Sequence, residues 1–253
     1  MSAIEQVFLE CERARADGEL IQKVSVSDKE YHFQNWVQGR IEACGLAYDD
    51  PGRNTYPDFR LVNYPEGFEV KGLAWPGREA DYDSNSQVPT GSHNGRDVYY
   101  VFGRYPSKVD AMTEYPVVDL VMCHGSFLNA DTEYVHKNKS FRGFGSYGDI
   151  LVRDRKMYVV PTPFALASGT AGLATLIAPA GFETDSSDLV VVAELSRIEV
   201  DEIVVSYEFN LETNEMIVHE APNPNAGREH KFRAFRSRGA GELKEVLLVG
   251  GGA

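Results

Sequence analysis

Three residues in one short stretch are of types that do chemistry together. Asp58 follows Tyr56 and Pro57, and ten residues later comes Glu69-Val70-Lys71. Two neighbouring carboxylates suit a hard divalent cation, since magnesium takes oxygen ligands and uses only one or two protein carboxylates. A cation so held polarises a phosphate and makes a water nucleophile available at neutral pH. A lysine beside it orients that water or stabilises charge on the five-coordinate phosphate. Hydrolysis of a phosphodiester bond is the reaction that fits this set.

Something must bring these residues together, and the surrounding pattern predicts a β-hairpin. Residues 59–62 and 68–71 read as strands flanking Tyr64-Pro65-Glu66-Gly67, with Pro and Gly placed for a type I turn. In that register Val62 faces Glu69 and Arg60 faces Lys71. Side chains alternate along a strand, so Asp58 shares a face with Glu69 and Lys71. Ahead of the hairpin, Ser2-Ala3-Ile4-Glu5 and Ser27-Asp28-Lys29-Glu30 each read as a capping box. The first helix stops at Gly18 and the second, with Phe33, Trp36, Val37, Ile41 and Cys44 inward, at Gly45.

Pro57-Asp58…Glu69-Val70-Lys71 resembles the motif of the PD-(D/E)XK nuclease superfamily, above all its type II restriction endonucleases. The resemblance covers roughly residues 27–104 and implies a restriction-endonuclease-like α/β core. It further implies that Asp58 and Glu69 hold Mg2+, for which Mn2+ can substitute, with the Val70 carbonyl as a further ligand. Lys71 then assists the attacking water. In the family the preceding helix often supplies another acid, which here makes Glu30 a candidate beside its capping role. Double-stranded DNA is the implied substrate, and a palindromic target makes a two-fold homodimer natural. Neither a nucleotide cofactor nor a membrane is implied.

Beyond residue 75 the pattern stays strand-rich. Strands are expected at 98–102, 117–122, 149–152, 157–160, 189–195, 198–207, 216–219 and 246–249, with a short buried helix at 172–178. The expectation is a single unit over 1–253: a central mixed sheet flanked by helices, and a β-rich C-terminal half. Residues 105–249 then complete the sheet and supply DNA-binding and dimerisation elements. The polar stretch 82–96 holds Asn85, Ser86, Gln87, His93, Asn94 and Arg96, residue types that read base edges, though a plain surface loop has the same composition. Phe232-Arg233-Ala234-Phe235-Arg236-Ser237-Arg238 suits either backbone phosphates or an amphipathic structural segment.

Three other patterns compete for attention. Asp149…Asp154-Arg155-Lys156 repeats the acid–lysine theme, but Asp154 and Lys156 fall at a hairpin tip, where charges are solvated. Gly143-Phe144-Gly145-Ser146-Tyr147-Gly148 matches a dinucleotide fingerprint without the strand before it or the helix after it. His93-Asn94 suggests an HNH-type site, yet the six histidines have no metal-like spacing.

Net charge is −13, which at first opposes a nucleic-acid partner. It is unevenly spread: residues 136–156, with Lys137, Lys139 and Arg142, and residues 227–244 together carry +8, leaving −21 elsewhere. A basic face on a repelling surface is compatible with DNA. Three widely spaced cysteines without a Cys-x-x-Cys pair predict a reducing, cytoplasmic setting and no structural zinc. No apolar run approaches the roughly 20 residues of a membrane-spanning helix, and the first residues read as a capped helix rather than a signal segment. A nuclease acting on DNA structure, and a non-catalytic binding protein, remain the competing classes.

Overall fold

The computed structural model describes residues 1–23, 31–49, 55–77, 79–85, 88–107, 114–130, 146–147, 151–154, 157–210, 212–213 and 215–238. Chain order begins α1 (Ala3–Ala16), β1 (Ile21–Gln22), α2 (Tyr31–Ala43), β2 (Tyr48–Asp49), β3 (Phe59–Leu61) and β4 (Glu66–Trp75). It continues with β5 (Asp81–Asn85), β6 (Ser92–His93), β7 (Arg96–Pro106), β8 (Glu114–Tyr115), β9 (Asp119–His124) and α3 (Gly125–Leu128). Then come β10 (Leu151–Asp154), β11 (Met157–Pro161), α4 (Pro163–Leu166) and β12 (Ala174–Pro179). The last strands are β13 (Leu189–Ile198), β14 (Glu202–Asn210), β15 (Glu215–Pro222) and β16 (Glu229–Ser237).

The main sheet is ordered β13-β16-β12-β9-β7-β4-β3-β2, with β6 pairing β7 at its end. It is mixed: β4–β7 and β9–β12 run parallel, and the other pairs antiparallel. The fold is therefore α/β and strand-rich, with a mixed central sheet. No helix is long and apolar enough to cross a membrane among the described residues.

Each face of the sheet carries its own core, and strand alternation assigns residues to one or the other. Phe68 and Val70 of β4, with Tyr99 and Val101 of β7, pack with α1 and α2 through Ile4, Phe8, Phe33 and Val37. Leu73, Tyr100 and Phe102 point the opposite way, against Tyr82, Tyr158 and Val160 of a smaller sheet ordered β10-β11-β5. The capping box of α1 forms as expected. Glu5 N–H donates to Ser2 Oγ at 3.3 Å, and Ser2 N–H donates to Glu5 Oε2 at 2.6 Å. The predicted start of the second helix at Ser27–Glu30 lies outside the described residues, as does the strand expected at 246–249.

Two expectations are corrected, and one open alternative is decided. Residues 172–178 do not form a helix. β12 runs parallel to β9 and antiparallel to β16, and its first five residues are buried. A strand buried on both faces is a continuous apolar run, which periodicity cannot tell from a buried helix. Residues 198–207 are not one strand, because β13 ends at Ile198 and the chain bends at Asp201 before β14 begins at Glu202. The Phe232–Arg238 stretch belongs largely to an interior strand, β16, with Phe232, Phe235 and Arg236 buried. Arg236 donates to Gly169 O at 2.7 Å rather than to a surface phosphate.

Candidate active site

The hairpin register differs from the expected one. Phe59 pairs with Phe68 and Arg60 with Gly67, so the partner of Arg60 slides four residues, from Lys71 to Gly67. The chain turns over residues 62–65, and Gly67 lies inside the strand. A Cβ on Gly67 would sit 2.5 Å from Pro57 Cγ, so this glycine is needed for close approach and not for the turn. Because four is even, every side chain keeps its face. One residue beyond the Phe59–Phe68 pair, Asp58 stands across from Glu69.

Each acid accepts a backbone N–H from the facing segment. Val70 N–H donates to Asp58 Oδ2 at 2.8 Å, and Asp58 N–H donates to Glu69 Oε2 at 3.2 Å. Lys71 Nζ donates to Glu69 Oε1 at 2.6 Å, two residues along the same face. Burial, then the Glu69 charge, push the Asp58 carboxyl well above the usual carboxylate range, while Lys71 and the Val70 N–H pull it back. The pair thus holds more negative charge than Lys71 alone relieves.

This donor set fits a hard divalent cation. It offers carboxylate oxygens with lone pairs beyond those already engaged, and magnesium completes its octahedron with waters. Among the described residues no group of three or more His, Cys, Asp or Glu gathers as a larger metal site. Two carboxylates are what the residues supply here.

An aromatic wall adjoins the acids. Tyr100 of β7 is the register partner of Glu69, and its hydroxyl lies 2.8 Å from that of Tyr56. The Tyr82 ring lies 5.9 Å from Lys71 Nζ. Sequence reasoning missed this trio as site residues. Tyr56 stood next to the motif, but Tyr100 enters through a parallel pairing and Tyr82 through a second sheet, neither of which leaves a local signal.

The remaining predicted residues divide into three groups. His93 meets the Tyr56 ring edge-on at 4.9 Å, and Asn94 Nδ2 lies 3.0 Å from His93 Nε2. Asn94 and Arg96, also named for reading base edges, have structural roles here. Asn94 (φ 50°) and Gly95 (φ 75°) are the two-residue turn joining β6 to β7, the Asn-Gly signature of a type I′ hairpin. Arg96 Nη1 donates to Leu61 O at 2.5 Å and Tyr64 O at 3.0 Å, tying this turn to the β3–β4 turn. Asn85 ends β5. Glu30, Ser86, Gln87, Lys137, Lys139 and Arg142 lie outside the described residues. The helix expected to lend a third acid packs on the other face: a Cβ on Gly72 would lie 3.0 Å from Phe33 Cβ, whereas Asp58, Glu69 and Lys71 point away from α2. Asp154 of β10 pairs with Met157 of β11, and Arg155 and Lys156 lie outside the described residues.

Compared with protein-family models, curated proteins and solved structures, the chain matches none of them.

Proposed function

We propose that the chain is a magnesium-dependent, sequence-specific endonuclease of double-stranded DNA, with a restriction-endonuclease-like core of the PD-(D/E)XK type. The observation that carries this reading is the convergence of Asp58, Glu69 and Lys71 on adjoining strands, on one face of the sheet. Asp58 and Glu69 would hold Mg2+, or Mn2+ in its place, with the Val70 carbonyl as a further ligand. When bound, the cation supplies Lewis acidity toward the scissile phosphate. The Val70 N–H fixes the orientation of Asp58. Lys71 orients the attacking water and stabilises charge developing on the phosphate. The wall of Tyr56, Tyr82 and Tyr100 excludes water and lowers the local dielectric, which strengthens each of these interactions. Residues 137–142 and Asn85 to Gln87 are candidates for DNA contact on composition. A homodimer in a reducing cytoplasm completes the proposal, in keeping with three free thiols of which Cys11 and Cys123 are buried.

Incubation with several unmodified phage DNAs and Mg2+ tests it. Discrete fragments are expected from the wild type, none after chelation of the metal, and none from Asp58→Ala. Lys71→Ala should retain the fold and lose about 10²–10³-fold in rate. Equal fragments from wild type and Asp58→Ala would assign the cleavage elsewhere. Intact DNA in every case, with folded protein, would remove the restriction reading, and branched substrates then test a structure-specific nuclease.

A further inference from the structure

Lys71 holds an oxygen that a cation bridging the two acids would draw on. Its Nζ donates to Glu69 Oε1 at 2.6 Å, while Glu69 Oε2 takes the Asp58 N–H from across the hairpin. The pair is largely enclosed, with the Lys71 side chain 25% exposed and that of Glu69 12%. The ammonium is thus the counter-ion of this acid. A divalent cation on Glu69 would share the carboxylate with it. Charges of one sign that close in a part-buried site repel strongly, so the two compete for one place.

The lysine has a second seat within reach. The centroid of the Tyr82 ring lies 5.9 Å from Nζ, at the outer limit of a cation–π contact, so a short retreat from Glu69 toward the ring strengthens it. Tyr82 is buried, and its ring meets Phe102, the register partner of Lys71, edge-on. It belongs to β5, where it pairs with Val160 of β11, so the second sheet holds this seat independently of the hairpin. Lysine suits an exchange of partners, being a compact charge on a flexible four-carbon stem.

We propose that Lys71 is displaced from Glu69 by the incoming divalent cation and received by the face of the Tyr82 ring. Tyr82 is then a positioning residue for the lysine. Off Glu69, the ammonium is available to the attacking water, which it cannot serve while it neutralises the acid. The inference rests on the metal site of the proposed function and adds to it this exchange of partners.

Calorimetric titration with Mg2+ at pH 8.5, without DNA, tests it. Wild type should bind, and Asp58→Ala should not. Lys71→Met should bind roughly 10-fold more tightly or better, because the competing charge is gone. Tyr82→Leu should bind about 5-fold more weakly, and Tyr82→Phe, which keeps the ring, within about twofold of wild type. In a Lys71→Met background Tyr82→Leu should change nothing, since no lysine is left to seat. Unchanged affinity in Lys71→Met overturns the exchange, and an equal loss from Tyr82→Leu in both backgrounds overturns the role of Tyr82. Absence of binding in wild type and Lys71→Met alike would remove the metal site itself, and the inference with it. If Tyr82→Leu fails to fold, NMR of the wild type decides. Mg2+ should move the Lys71 ε-methylene signals upfield, into the shielding region of the ring; unmoved or downfield signals reject the seat.

Discussion

The Tyr82 hydroxyl is enclosed and has no hydrogen-bond partner among the described residues, although its ring lies beside Lys71 and edge-on to Phe102 at 5.2 Å. An unmet buried hydroxyl costs about 1–3 kcal/mol of desolvation, and deleting it leaves nothing unsatisfied behind. Tyr82→Phe is therefore expected to raise the melting temperature by about 2–4 °C while keeping the ring contacts. Scanning calorimetry checks this, and a lowered melting temperature would mean that the hydroxyl has a partner in solution. The neighbouring acids differ in kind: Asp58 and Glu69 have backbone and lysine partners, and burial beside Glu69 raises the Asp58 carboxyl.

At the scale of elements, α2 is seated by a notch. Gly72 of β4 and Gly103 of β7 are register partners, and Phe33 fills the space their missing side chains leave. A methyl group at Gly103 would overlap the Phe33 ring. Gly103→Ala should cost about 1–3 kcal/mol by overpacking, read as a lower urea midpoint. Phe33→Ala alone should cost about 3–5 kcal/mol as a cavity. The double variant should be less destabilised than the two costs added, because the new methyl enters the emptied space. Additive costs would show that Phe33 is not what the glycine accommodates. This contact fixes the pitch between α2 and the sheet whose other face holds the acids, so it positions the site from behind.

For the whole molecule, two groups set opposite pH trends in metal-free protein. Burial holds His124 down to about 4, against a backbone hydrogen bond to Gly91 that raises it. Below about 6.5, the ordinary histidine value, the unfolded chain takes up a proton that the folded chain refuses. His124 thus contributes stability above that pH and loses it as pH falls toward 4, by at most roughly 3 kcal/mol. Asp58 is raised, so the folded chain takes its proton first and gains stability over the acidic side of neutrality. Urea midpoints at pH 7.0 and 4.5 in the presence of chelator should separate them. His124→Gln should improve the acid midpoint relative to the neutral one, and Asp58→Asn should worsen it. The same shift in both variants would refute the assignment.

Sequence alone determined whatever depends on neighbours along the chain. The capping box at Ser2 and Glu5 is local hydrogen bonding, so its residue types announce it. The shared face of Asp58, Glu69 and Lys71 follows from strand alternation, which survived even a register four residues from the expected one. What tertiary structure decided is everything set by distant partners. β12 is a strand because β9 and β16 lie on either side of it, while its own apolar residues fit a helix equally well. Arg96 is committed to the carbonyls of Leu61 and Tyr64, thirty-odd positions away and invisible to any window along the chain. Tyr82 and Tyr100 reach the acids only through a second sheet and a parallel pairing. Local chemistry names the candidate residues; long-range packing selects the walls around them.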